Sequence, residues 1–75
     1  MYCLIERVMN GTVTVATCPI GIEAQTFDEA KGKVKGLLSA VSALVETDDA
    51  TCLSYVIPGV FPCHGVLTNK PMTLL

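Results

Sequence analysis

Two runs rich in β-forming residues, 2–9 and 12–18, lie on either side of Asn10-Gly11. Runs of this kind predict strands. Asn-Gly between two such runs predicts a hairpin, because a type I′ turn needs φ > 0 at both central residues. With Asn10-Gly11 as the loop, Val8 is expected opposite Val13, Glu6 opposite Val15, Leu4 opposite Thr17 and Cys3 opposite Cys18. Leu4, Val8, Val13 and Val15 then share the core face. Ile5, Arg7, Met9, Thr12, Thr14 and Ala16 share the other, which is apolar only at its base, where Cys3, Ile5, Ala16 and Cys18 meet. Ile20, Ile22 and Ala24 alternate with smaller or polar residues, as a short third strand or an extended lead-in would.

The period then changes. Thr26-Phe27-Asp28-Glu29 reads as a capping box, with the Thr26 hydroxyl on the Glu29 N–H and the Glu29 side chain reaching back. After it Phe27, Ala30, Val34, Leu37, Leu38, Val41, Leu44 and Val45 recur at three- and four-residue steps, one stripe about 120° wide on a helix. This predicts a long helix over 27–46, followed by a turn at Asp48-Asp49-Ala50. Its opposite side, Gly32, Gly36, Ser39, Ala40 and Ala43, is nearly bare of side chain. Mid-helix glycine costs about 1 kcal/mol relative to alanine, so this strip is expected to let another backbone approach.

A second strand is predicted over 51–57, with Leu53, Tyr55 and Ile57 on one face and Cys52, Ser54 and Val56 on the other. Pro58-Gly59 ends it. From 60 to 75 the pattern weakens: Pro62 and Pro71 cannot donate to a ladder and Gly65 interrupts the run. Val60, Phe61, Val66, Leu67, Met72, Leu74 and Leu75 are nonetheless too apolar for a solvated tail. The segment is expected to pack over the sheet with a short strand at 65–68, or against another subunit. The fold class that follows is α+β, a single domain over 1–75 with hairpin 2–18, helix 27–46, strand 51–57 and an apolar C-terminal segment 60–75. A β-grasp arrangement is the alternative, without the terminal diglycine used for conjugation.

Composition narrows the function. At 75 residues the chain is near the size at which one core is only just sufficient. It is 51% hydrophobic and 16% charged, which excludes intrinsic disorder and leaves apolar surface for a partner, first of all a homodimer. A net charge of −2 argues against a nucleic-acid partner. The N-terminal Met1-Tyr2-Cys3-Leu4-Ile5-Glu6-Arg7 lacks the pattern of a signal peptide, and the apolar runs are too short to span a membrane, so a cytoplasmic protein is expected.

The candidate chemistry is sparse. Cys63-His64 is the one adjacent pair that suggests a thiol-dependent enzyme or metal protein, yet neighbours in an extended segment point to opposite sides. The four cysteines show no Cys-x2-4-Cys knuckle, and outside an oxidising compartment they read as reduced thiols, Cys3 and Cys18 included. No metal or cofactor is expected. Lys31, Lys33 and Lys35 read as solvated flanks of the helix, with Glu29–Lys33 an i,i+4 pair.

Thr12–Thr17, Pro19-Ile20-Gly21 and Thr26-Phe27-Asp28-Glu29-Ala30 carry a resemblance, over Gly11 to Leu38, to the N-terminal domain of HicB-type antitoxins. That family's acidic, glycine-rich first turn and its appended DNA-binding region are missing here. The resemblance implies a protein that masks a partner without binding DNA; small phage-encoded inhibitor proteins look similar in size and layout. Sequence therefore points to a non-enzymatic protein-binding module, antitoxin-like or phage inhibitor-like, with Gly32, Gly36, Ser39, Ala40, Ala43, Phe61 and Leu67 as its partner-binding residues. The alternative is an enzyme or metal protein built on Cys63 and His64.

Overall fold

The computed structural model describes residues 1–72; Leu74 and Leu75, expected to pack with the rest of the C-terminal segment, lie outside the described residues. The elements are β1 (Tyr2–Asn10), β2 (Val13–Ile22), α1 (Phe27–Leu38), β3 (Leu44–Asp48), β4 (Cys52–Ile57) and β5 (Cys63–Pro71). The strands form one five-stranded sheet in the order β2-β1-β5-β4-β3, and every neighbouring pair is antiparallel. One helix on one face makes the fold α+β, as the sequence pattern predicts.

The helix is short, and the topology explains why. β2 and β3 are the two outer strands, so α1 must carry the chain from one edge of the sheet to the other. Five strands spaced about 4.8 Å apart span about 19 Å between the outer two. A helix of 12 residues covers about 18 Å. The expected helix over 27–46 would overshoot.

Instead the helix ends at Leu38. The Ser39 Oγ donates to the Gly36 carbonyl at 2.6 Å, and the Ala40 and Val41 amides donate to Leu37 and Leu38, one residue short of α-helical spacing. After this tightened turn Leu44-Val45-Glu46-Thr47-Asp48, rich in β-branched residues, pairs with β4. The same apolar spacing had satisfied a helical stripe.

At the N-terminus of α1 the capping box forms. Thr26 is extended, and its Oγ1 accepts from the Glu29 amide at 3.2 Å. Glu29 reaches back one residue further than expected, accepting from the Gln25 amide at 3.3 Å.

The hairpin of β1 and β2 forms with a different register. The turn is Gly11-Thr12, between paired Asn10 and Val13, and Gly11 has φ 61. Positive φ at the first central residue alone is the signature of a type II′ turn, not of type I′. A bulge follows: Met9 pairs with Thr14 but Val8 pairs with Ala16, leaving Val15 as the extra residue. A one-residue slip exchanges the faces of everything beyond it. Ile20 and Ile22 therefore join Leu4 and Tyr2 on the helix side, in a strand that runs on to residue 22 rather than stopping at 18. Val13 and Val15, expected in the core, are 61% and 55% exposed. Cys3 faces Gly21 while Cys18 faces Glu6, so the expected Cys3–Cys18 opposition does not occur, and all four cysteines are free thiols.

Between sheet and helix lie Tyr2, Leu4, Ile22, Ala30, Val34, Leu53, Tyr55 and Leu67. Leu53, Tyr55 and Ile57 share the core face of β4, as predicted from their alternation. Each fully buried aliphatic side chain among them contributes about 1.5–3 kcal/mol relative to exposure. Pro62 and Pro71 bound β5, so the ladder between them is longer than the strand expected at 65–68.

Candidate functional site

Because α1 stops at Leu38, it leaves part of the core face uncovered. β1, β2, β4 and β5 present Glu6, Cys18, Tyr55 and Cys63 there on one side of the sheet. Gly65 lies between Glu6 and Tyr55 in the ladder, opposite both. A Cβ at residue 65 would land on the Tyr55 ring, so the missing side chain is what lets the ring lie across β5. The phenol thereby reaches past β5 to β1, two strands away, and donates to Glu6 Oε2 at 2.6 Å. The Cys63 thiol donates to the same oxygen at 3.7 Å.

The electrostatics follow from this burial. Desolvation, then the hydrogen bond and charge of Glu6, push the Tyr55 phenol far above its usual value of 10.0. Desolvation, then the Glu6 charge, also raise the Cys63 thiol. A thiol held protonated beside a carboxylate is the reverse of an activated nucleophile. His64 sits on the opposite face, paired with Arg7 and Val56. Cys63 and His64 are thus neighbours in sequence whose side chains do not meet.

Above Glu6 opens a cavity of about 220 Å³. Leu4, Ile20, Val34 and Ile57 form its walls; Leu37 and Val41, 66% and 47% exposed, form its mouth. Glu6 and Tyr55 are the residues of its lining that carry a polar side-chain group.

A second feature is the outer edge of the sheet. β2 runs through Val-Thr-Val-Ala-Thr-Cys-Pro-Ile-Gly-Ile over 10 residues without a charge. Among the described residues its only ladder partner is β1. The opposite edge, β3, has 5 residues and carries Glu46 and Asp48. Asp48 is tied down: Lys31 Nζ lies 3.1 Å from Oδ1, and Lys35 pairs with the other oxygen. Lys31 also donates to the Asp49 carbonyl at 3.0 Å and sits 5.0 Å over the Phe27 ring. Lys31 and Lys35 therefore clamp the helix to β3, whereas sequence had them as solvated flanks.

Of the residues expected to bind a partner, Gly32 and Gly36 are exposed on α1 with open space where a Cβ would stand. Ser39 and Ala40 belong to the turn, and half-buried Ala43 to the coil before β3, so no continuous bare strip exists on one helix. Phe61 is 56% exposed in the β4–β5 loop. Leu67 is buried in the core, opposite Leu4 and Leu53, where it offers nothing to a partner.

Glu6, Tyr55 and Gly65 escaped the sequence reading. The available signal was Gly65, which interrupts an apolar strand at the position where a ring must pass. Among the described residues no group of His, Cys, Asp and Glu is arranged to hold a metal ion, and no helix is long and apolar enough to cross a membrane. Comparison of the chain with protein-family models, curated proteins and solved structures finds no match.

Proposed function

We propose that this chain is a non-enzymatic, cytoplasmic protein-binding module that pairs its outer strand β2 with a strand of another chain, first of all a second copy of itself. The observation that carries this reading is the state of the two sheet edges. An unpaired edge strand is a template for strand addition, and soluble proteins blunt such edges with charge, brevity, proline, bulges or cover. β3 is short, charged and clamped by lysines. β2 is long and uncharged, with exposed Val13 and Val15, and Pro19 lies in its second half. The stretch Val13–Cys18 is left as the surface for main-chain hydrogen bonding, with alternate side chains setting register.

The HicB-type resemblance falls on the same part of the chain, since Gly11 to Leu38 comprises β2 and α1. A module of this kind acts by occupying its partner. It needs no catalytic group, no cofactor and no nucleic-acid contact. The competing reading, a thiol enzyme or metal protein on Cys63 and His64, has no observation in its favour: the pair is split across the sheet and the thiol is held protonated.

Val15→Lys tests the proposal. The substitution puts a charge on an exposed bulge residue and is expected to change stability by no more than about 0.5 kcal/mol. In sedimentation velocity over a concentration series, the wild type should pass to dimer while V15K stays monomeric with an unchanged melting temperature. A monomeric wild type at high concentration, or a V15K variant that still dimerises, would overturn pairing through β2.

A further inference from the structure

We infer that the cavity between α1 and the sheet is a binding site for a small amphipathic amine, an apolar body with one ammonium head that pairs with Glu6. This does not depend on pairing through β2.

The size comes first. A cavity of about 150 Å³ lined by aliphatic and aromatic side chains admits benzene. The space here is about 220 Å³. It accommodates a single ring with a two-carbon arm and a head group. The walls, Leu4, Ile20, Val34 and Ile57, offer no polar atom to such a ring.

The charge follows from hydrogen bonding. Glu6 Oε2 accepts from both the Tyr55 hydroxyl and the Cys63 thiol. Two donors on one carboxyl oxygen engage both of its acceptor positions. Among the described residues no lysine, arginine or histidine lies in an ion pair with Glu6, and no basic side chain lines the cavity. The second oxygen, Oε1, accepts no hydrogen bond from any described residue. A carboxylate in the lining of an apolar cavity, with two donors on Oε2 and none on Oε1, is complementary to an ammonium group, a donor without acceptor capacity. A carboxylate ligand would meet like charge, and a purely hydrocarbon ligand would leave Oε1 without a partner.

The mouth supplies the third observation. Leu37 and Val41 stand exposed at the opening, and a ligand body seated between them removes their apolar surface from water. The predicted binding mode is thus ring toward α1, ammonium toward β1.

The test uses the whole protein and four probes of one shape: 2-phenylethylamine, 2-phenylethanol, ethylbenzene and 3-phenylpropionate, titrated while amide and methyl NMR signals are followed. The amine should saturate in the low millimolar range or below and shift Leu4, Val34 and Ile57. It should bind at least tenfold more tightly than the alcohol or ethylbenzene, and the carboxylate should not bind. Glu6→Gln, which keeps an acceptor for Tyr55, should erase the preference for the amine while leaving ethylbenzene unchanged. The inference is overturned if the amine binds no better than the alcohol, if the carboxylate binds best, or if none of the probes saturates below 10 mM. Should E6Q fail to fold, the ranking of the probes on the wild type decides alone.

Discussion

Gly65 leaves room for the Tyr55 ring to cross β5 and meet Glu6 two strands away. Its replacement by alanine forces the ring off its path, so Gly65→Ala should destabilise the protein by about 1–3 kcal/mol, the usual range for overpacking a filled site. Gly36→Ala should do the opposite. Its Cβ meets open space on an exposed helix, and the change should stabilise by about 0.5–1 kcal/mol. Chemical denaturation of the two variants beside the wild type checks both signs. The thiols offer an independent test of the same corner. Cys18 is exposed, whereas Cys63 is half-buried and its thiol is pushed up by desolvation and by Glu6. Alkylation followed by mass spectrometry at neutral pH should label Cys18 well before Cys63, and the order should narrow as pH rises.

Among the elements, α1 and β3 are held together by charge. Asp48 lies between Lys35 and Lys31, whose hydrogen bonds keep its carboxyl below the usual 3.8. A depressed carboxylate contributes stability that is complete above its unfolded pKa and lost as pH falls through the folded value. Asp48→Asn should therefore be less stable than the wild type at about pH 5 and above, and the difference should shrink to nothing near about pH 2. Thermal melts of both proteins across that interval measure it. A constant difference would mean that the lysine contacts do not stabilise the fold.

This clamp also explains how far the sequence could be read. The capping box at Thr26 and the alternation of Leu53, Tyr55 and Ile57 were legible, because local hydrogen bonding and a single buried face decide them. Residues 39–48 were not. Val41, Leu44 and Val45 keep a helical spacing, and only the partner strand β4 and the lysines on α1 make a strand of the last five. The hairpin shows the same limit. Asn10-Gly11 marked the hairpin to within one residue of its turn, but the bulge at Val15 depends on placing Ile20 and Ile22 against the helix, a demand from the far end of the strand.

For the whole molecule, the sheet has two edges of opposite character and one incompletely covered core face. The edge at β3 is closed by charge and by α1, so growth of the sheet is directed to β2. The uncovered core face holds the Glu6 cavity, which the Cys63-His64 motif gave no hint of and which the strand register and the early end of α1 create together. Neither feature could be placed before the order β2-β1-β5-β4-β3 was known, since both depend on which strands end as neighbours.

Amide hydrogen exchange along β2 tests the central claim most directly, measured by NMR at dilute and at high protein concentration. The β2 amides that do not face β1, within Val13–Cys18, are open to water in a monomer and hydrogen-bonded in a β2-paired dimer. We predict that their protection rises with concentration while that of β5, already paired on both sides, stays constant. Outer β2 amides that exchange equally fast at both concentrations would contradict it.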